Sequence, residues 1–276
     1  MNSFNYYVIH CKDNNIRFNN IKNMEKKISK EINIFFGIKG ILVDSENLIL
    51  YDPNIKIEKQ FQYPGQLGCY MSHYLLIKSL INSEYDYTVI FEDDFNILTS
   101  DLDYNIQTLL DTIDIDFDFL FLGTQSDYYG DKYKDNLYFI DKTKKIWGFH
   151  GYVVNNNKIS KILSLLKNIN QEIDIQIFNH IKQNNLVGLF VNPKYISQNP
   201  KLISTIRPTN CANLLLLNKI SISTENKRNN NKKIDDNKKI DANNKIDANN
   251  KTKEAKIINH SIYLSNKCLL LKLLKK

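Results

Sequence analysis

The sequence predicts an α/β fold built on an open sheet, and three features of one stretch, Gly65 to Leu98, carry that prediction. Leu67, Tyr70, Met71, Tyr74, Leu75, Lys78 and Ile81 keep the i, i+3, i+4, i+7 spacing of one helix face, apolar save for a lysine stem. Next, Tyr87-Thr88-Val89-Ile90-Phe91 is aromatic and β-branched, the short continuous run of a buried strand. Glu92, Asp93 and Asp94 follow at once. In an open α/β sheet the crevice for ligands lies at the carboxyl ends of the strands. Like charges clustered there repel and raise one another's pKa, so a cation or a set of donors must hold them. Mg²⁺ or Mn²⁺, bound by one or two carboxylates and by phosphate oxygens of a substrate, meets that need. The plain alternative is a solvated turn, which Asp also favours.

Taken in order, Phe4 to Ile9 reads as a strand, followed by a loop from His10 to Asn15. Arg17 stands just inside a helix marked by Phe18, Ile21, Met24 and Ile28, and a basic residue so placed is one way to meet a nucleotide. Ile32 to Phe36 is the next strand, Gly37 to Gly40 a turn, and Asp44 to Lys59 a polar loop with a turn at Asp52-Pro53-Asn54. Beyond the acids, Leu102 to Ile113 has helical spacing, and Phe117 to Leu122 is a buried strand stopped by Gly123. A loop from Gln125 to Asn136 carries Tyr128, Tyr129 and Tyr133, rings of the kind that stack on sugars or bases. Leu137 to Ile140 and Trp147 to Val154 read as strands; in the second, Gly148 and Gly151 flank Phe149 and His150, suggesting a close approach to the backbone. Ile159 to Leu166 is a helix, a second begins at Glu172 with Asp174 in its first turn, Leu186 to Val191 is the last strong strand, and Pro193 to Pro208 is coil.

The 276 residues, 42% hydrophobic, suffice for a sizeable core. The net charge of +7 resembles a nucleic-acid signal, but from Lys219 onward 15 Lys+Arg face 6 Asp+Glu, leaving the preceding part slightly acidic. Specific nucleic-acid binding is therefore not expected of the globular part. Lys233, Lys239, Lys245 and Lys251 recur every six residues in a repeat too polar to bury anything. Domains are expected at 1–217 (globular), 218–260 (disordered basic linker) and 261–276 (a short Leu/Lys-rich amphipathic helix with weak membrane-surface contact). Cys11, Cys69, Cys211 and Cys268 form no framework, which points to a reducing compartment. Cys69 and His73 share a helix face, but two ligands do not make a zinc site. Without an apolar run of ~18 residues or a signal sequence, a soluble, cytoplasmic protein is the expectation.

Several blocks together resemble glycosyltransferase family 25, which includes lipooligosaccharide and procollagen galactosyltransferases. They are Phe36 to Gly40, Gly65 to His73 with its GC-x-x-SH pattern, Ile90 to Asp94, Phe119 to Gly123, Gly148 to Tyr152, and Ile173-Asp174. The resemblance runs from about Tyr6 to Arg207, with Lys39 standing where the family often has an acidic residue. It implies a GT-A type, Rossmann-like nucleotide-sugar fold and a metal-dependent, inverting transfer of a hexose, usually galactose, from a UDP-sugar. The acceptor would be a hydroxyl on a glycan or a hydroxylated protein.

On that resemblance Glu92, Asp94 and His150 are the expected ligands of Mn²⁺ or Mg²⁺, with Asp94 the direct one. Ile9, Arg17, Ser72, His73, Glu92 and Asp93 would line the UDP-sugar site, and Asp174 would be the general base. For His150 the competing role is a buried hydrogen-bonded imidazole, and for Asp174 the capping of a helix N-terminus. UDP-glucose is the alternative donor. Two readings of another class remain: a non-catalytic sugar-nucleotide binder, which donor hydrolysis would exclude, and a tail-mediated adaptor, which salt-dependent binding would reveal.

Overall fold

Alternation with a period of two sets the first strand. In β1 (Phe4–His10) the even-numbered residues Phe4, Tyr6, Val8 and His10 are buried on one side, while Tyr7 and Ile9 pack against the other. This computed structural model describes residues 2–40, 43, 48–126, 128–202, 204 and 206. The expected 217/218 boundary, the 218–260 linker and the 261–276 helix lie outside the described residues.

After β1 come α1 (Asn15–Glu25), β2 (Ile32–Phe36), α2 (Leu48–Tyr51), β3 (Lys56–Ile57), α3 (Pro64–Ser79), β4 (Tyr87–Glu92), β5 (Phe95–Ile97) and α4 (Leu102–Thr112). Then follow β6 (Phe119–Gly123), β7 (Tyr129–Lys134), β8 (Leu137–Ile140), β9 (Gly151–Asn155), α5 (Ile159–Leu166), β10 (Asn168–Ile169), α6 (Ile173–Lys182), β11 (Gly188–Val191) and β12 (Ile196–Gln198). The eight-stranded sheet has the order β2-β1-β4-β9-β6-β11-β8-β7. β2, β1 and β4 are parallel, as are β6 and β11, and β9 runs antiparallel between β4 and β6. The expected α/β architecture with a large central sheet is thus observed. No helix among the described residues is long and apolar enough to cross a membrane.

Each face of the sheet has its own core. On one side Phe4, Tyr6, Val8, Val89 and Phe91 pack with Ile21 of α1 and with Leu102, Ile106 and Leu109 of α4. On the other, Ile90, Phe121 and Tyr152 pack with Tyr70, Met71 and Leu76 of α3, Ile162 of α5 and Phe178 of α6. Because α3 touches sheet, α5 and α6, its buried surface is wider than the predicted stripe: Ser72, His73, Leu76 and Ile77 are buried as well, whereas Ile81 lies beyond the helix and is 37% exposed.

Several short elements depart from the sequence reading. Tyr129 and Tyr133 belong to β7, a polar edge strand; Tyr129 packs on Tyr138 and Phe190, and the Tyr133 hydroxyl bonds Asp114, so of these three tyrosines Tyr128 alone is an exposed ring. The predicted strand from Trp147 is cut short because Gly148 takes φ +87°, and β9 starts only at Gly151. The expected coil after Pro193 contains β12, which pairs antiparallel with β5.

The expected polar loop from Asp44 contains α2 among its described residues: Leu48 is buried and Asp52 anchors the segment to α3. Its carboxylate accepts from the Asn54 N–H (2.9 Å), the Tyr74 hydroxyl (2.8 Å) and the Lys78 ammonium (2.7 Å). Burial pushes the Asp52 carboxyl up, but the bonds from Lys78, Asn54 and Tyr74 outweigh it and hold the group below its ordinary value. A depressed carboxylate contributes stability that is complete above the unfolded value of about 3.9 and is lost as pH falls through the folded one. Asp52→Asn is expected to cost ~1–3 kcal/mol in urea unfolding at pH 7. That cost should begin to shrink below about pH 4, where the group protonates in the unfolded chain, and shrink further as pH falls through the lower folded value; an equal cost at pH 7 and pH 3 would show that the charge contributes nothing.

Gly40 and Gly68 let the turn after β2 cross the start of α3 at backbone contact. A Cβ on Gly68 would lie 2.4 Å from the Gly40 nitrogen and 2.5 Å from the Ile38 oxygen. Nearby, the Ser72 hydroxyl accepts from the Ile38 N–H (2.8 Å) and donates to the Gly68 oxygen (2.6 Å). Gly68→Ala is therefore expected to destabilise the protein by at least ~1–3 kcal/mol, because backbone cannot yield as a side chain does. A melting temperature equal to that of the wild type would contradict this packing.

Candidate active site

The same alternation that builds the sheet separates Glu92, the last residue of β4, from Asp93. Ile90 and Glu92 point toward α3, whereas Val89, Phe91 and Asp93 point toward α1. Glu92 Oε1 lies 3.4 Å from His73 Nε2 and 3.8 Å from Cys69 Sγ, and Oε2 lies 3.9 Å from His150 Nδ1. Burial pushes this carboxyl up, but the His150 and His73 imidazoles outweigh it and bring it down to about 2.

Asp93 and Asp94 share Arg17. Asp93 Oδ1 meets the guanidinium and Oδ2 lies 2.9 Å from His10 Nδ1, while Asp94 Oδ2 accepts from Arg17 Nη2 and from Gln198 Nε2, both at 3.0 Å. Arg17, expected to meet phosphate or ribose, is buried against these two aspartates and supplies part of the counter-charge such a cluster requires. The turn itself is framed by backbone contacts: Asn20 Nδ2 donates to the Asp93 and Phe95 carbonyls, and the Asn199 N–H donates to the Asp94 carbonyl at 2.7 Å.

His150 arrives from the loop before β9, where its carbonyl accepts from the Glu92 N–H (3.4 Å) and its N–H donates to Gly123 (3.3 Å). Gly123 and Gly151 admit β12 over these strand ends; a Cβ on Gly123 would lie 1.8 Å from the Ile196 oxygen. β12 then delivers Gln198 to Asp94.

One ligand atom each from Glu92, Asp94 and His150 lies within 4.8 Å of the others. Asp94 Oδ1 and His150 Nδ1 are both buried without a hydrogen-bond partner. Burial and the neighbouring Glu92 raise Asp94, against the opposing pull of Arg17 and Gln198. Two buried atoms without a hydrogen-bond partner beside a carboxylate, an oxygen and nitrogen set, suit a divalent cation of the Mn²⁺ or Mg²⁺ kind. A second group, Cys69, His73 and Glu92, shares the Glu92 carboxylate.

The remaining predicted residues differ in their surroundings. Ile9 pairs in register with Glu92 on the neighbouring strand. Ser72 is buried, and both of its hydrogen bonds go to backbone of the turn and helix, so its observed contacts join those elements rather than face a cleft. Asp174, in the first turn of α6, accepts from the Gly148 N–H (2.6 Å) and the Ile175 N–H (2.8 Å). Burial raises its carboxyl; the two N–H groups oppose that, while Glu92 and Glu172 add to it. Sequence reading missed His10 and Gln198. For His10 a signal existed, since parallel neighbours place the ends of β1 and β4 together; for Gln198, 104 residues from Asp94, none did.

A cavity of about 510 Å³ lies elsewhere, lined by Gly130, Asp141, Lys142, Ile181 and Gly188 among others. Strand register puts Gly188 at the Phe119 end of the sheet, opposite Gly123, Gly151 and Phe91, so this cavity is remote from the acids.

Comparison with known families places the chain among the glycosyltransferases. Residues 4–177 match the model of glycosyltransferase family 25 (LPS biosynthesis protein), and the chain belongs to that family. No curated protein matches the sequence. Among solved structures, a mutant of Drosophila β1,4-galactosyltransferase 7 in complex with manganese, UDP-Gal and xylobiose is 10% identical, with a TM-score of 0.37 over 78% of this chain and 74% of that one. The CMP:2-keto-3-deoxy-manno-octonic acid synthetase complexed with CTP is 8% identical, with a TM-score of 0.39 over 80% of this chain and 99% of that one.

Proposed function

We propose that this glycosyltransferase, with a GT-A type site, moves a hexose, galactose foremost, from a UDP-sugar to a hydroxyl of a glycan or hydroxylated protein, with inversion at the anomeric carbon. The observation that carries the metal-dependent reading is the pair of buried, unpaired atoms Asp94 Oδ1 and His150 Nδ1 beside Glu92. Glu92, Asp94 and His150 would hold Mn²⁺ or Mg²⁺, which when bound offsets the negative charge of the UDP leaving group as a Lewis acid.

The chain's own residues do the rest. Arg17 holds Asp93 and Asp94 in place and keeps their repulsion from spreading the strand end. Asp174, oriented by the Gly148 N–H, accepts the proton of the acceptor hydroxyl as that oxygen bonds to the anomeric carbon and the bond to the phosphate oxygen breaks. Its raised affinity for a proton suits it to that task.

A panel of nucleotide sugars assayed with Mn²⁺ for UDP release tests the reading. UDP-galactose turnover that ceases on chelation is expected; metal-independent turnover, or none with any donor, would overturn it. UDP-glucose is the alternative donor, because discrimination between hexoses rests on a few pocket contacts. Ending the chain after Leu217 is expected to leave transfer to a small acceptor intact. Loss of that transfer would place the catalytic boundary further along the chain.

A further inference from the structure

Tyr152 and His73 form a buried polar pair inside an aromatic layer, and the proposed reaction leaves them without a role. His73 is 1% exposed on α3, and Tyr152, also 1% exposed, lies on β9 beside Ile90 of β4. Their rings are packed among Phe149, Phe119 and Phe121. The Tyr152 hydroxyl is 2.8 Å from His73 Nδ1, and the opposite ring nitrogen, Nε2, is 3.4 Å from Glu92 Oε1.

We propose that Tyr152 and His73 are positioning residues that aim Glu92 at its cation. This rests on the metal reading above. The Tyr152 hydroxyl pairs with Nδ1, and the Nε2–H of His73 donates to Oε1 of Glu92. The opposite tautomer would set a nitrogen lone pair against a carboxylate oxygen, which repels. With Oε1 held in this way, Oε2 remains on the side of His150, whose Nδ1 lies 3.9 Å away and has no hydrogen-bond partner. A carboxylate free to rotate would present either oxygen; this one is restricted to one orientation. Such outer partners of a ligand commonly change metal affinity 10–100-fold when removed.

Cys69 Sγ also approaches Oε1, at 3.8 Å, a longer and weaker contact than that of His73. The competing assignment makes Cys69 and His73 direct ligands of a thiophilic ion, and the two readings separate by which variant loses affinity.

The test is Mn²⁺ binding to the full chain, with and without UDP, read from the electron paramagnetic resonance signal of free Mn²⁺, so that no turnover is required. Tyr152→Phe and His73→Leu are expected to weaken Mn²⁺ roughly 10–100-fold. His73→Gln, whose amide N–H can donate where Nε2 does, should recover most of that loss, and Cys69→Ala should bind Mn²⁺ as the wild type does. In turnover the defect should appear as a raised Mn²⁺ requirement, with kcat at saturating Mn²⁺ largely restored. Wild-type affinity in both Tyr152→Phe and His73→Leu would overturn the positioning role while leaving the metal reading standing, and a loss confined to Cys69→Ala would overturn it in favour of a thiolate ligand. A wild-type chain that binds no Mn²⁺ under either condition would remove both. Should His73→Leu fail to fold, Tyr152→Phe, which deletes one hydroxyl and keeps the ring, carries the test alone.

Discussion

Asp94→Asn is expected to lower UDP-hexose turnover by at least roughly 10³-fold while leaving the fold intact, a loss of about 4 kcal/mol in transition-state stabilisation. The side chain keeps its size, and its amide oxygen can still accept from Arg17 or Gln198, which now meet Oδ2 at 3.0 Å each. Removed is the charge beside the unpaired Oδ1, the atom assigned to the cation. Arg17 retains Asp93 as its partner, so the variant leaves no isolated buried cation. Circular dichroism should match the wild type, and UDP release should stay low at any Mn²⁺ concentration. Full activity in a folded variant would remove Asp94 from the metal site.

Asp174→Asn is expected to reduce kcat by ~10²–10⁴ with donor affinity little changed, the pattern of a lost general base. The wild-type pH profile adds a second reading. A base acts only when ionised, and burial raises this carboxyl above its ordinary value of about 3.9, so activity should fall with decreasing pH through a midpoint above that value. The residual activity of the variant should lack that limb. The competing role, capping of α6, has a different signature: Asp174 accepts from the Ile175 N–H at 2.8 Å, and if that bond were its whole purpose, stability and both kinetic constants would decline together.

The main strands and helices were legible because each carries its own apolar run or stripe. β1, β2, β4, β6, β8 and β11 stand where their apolar runs predict, as do α3, α4, α5 and α6 within a few residues. The elements that escaped are β3, β5, β7, β10 and β12 and the short α2, for a common reason. Two to six residues long, and polar in the case of β7, they have no amphipathic signal, and the strands among them exist because a partner strand satisfies their backbone. The site divides in the same way. Its acids are contiguous, so their clustering was visible, and Cys69 and His73 were visible four residues apart on α3. That Glu92 completes a group with them, that His10 and Arg17 receive Asp93, and that Gln198 closes on Asp94 were not visible.

Sequence alone determined that this chain builds an α/β sheet and ends a central strand in three carboxylates, since local periodicity and neighbouring charge are properties of adjacent residues. The tertiary structure decided what each carboxylate faces. Glu92, the last residue of its strand, faces the α3 layer, whereas Asp93 and Asp94, in the turn that follows, share Arg17; the partners of all three come from segments 19 to 104 residues away whose approach depends on packing.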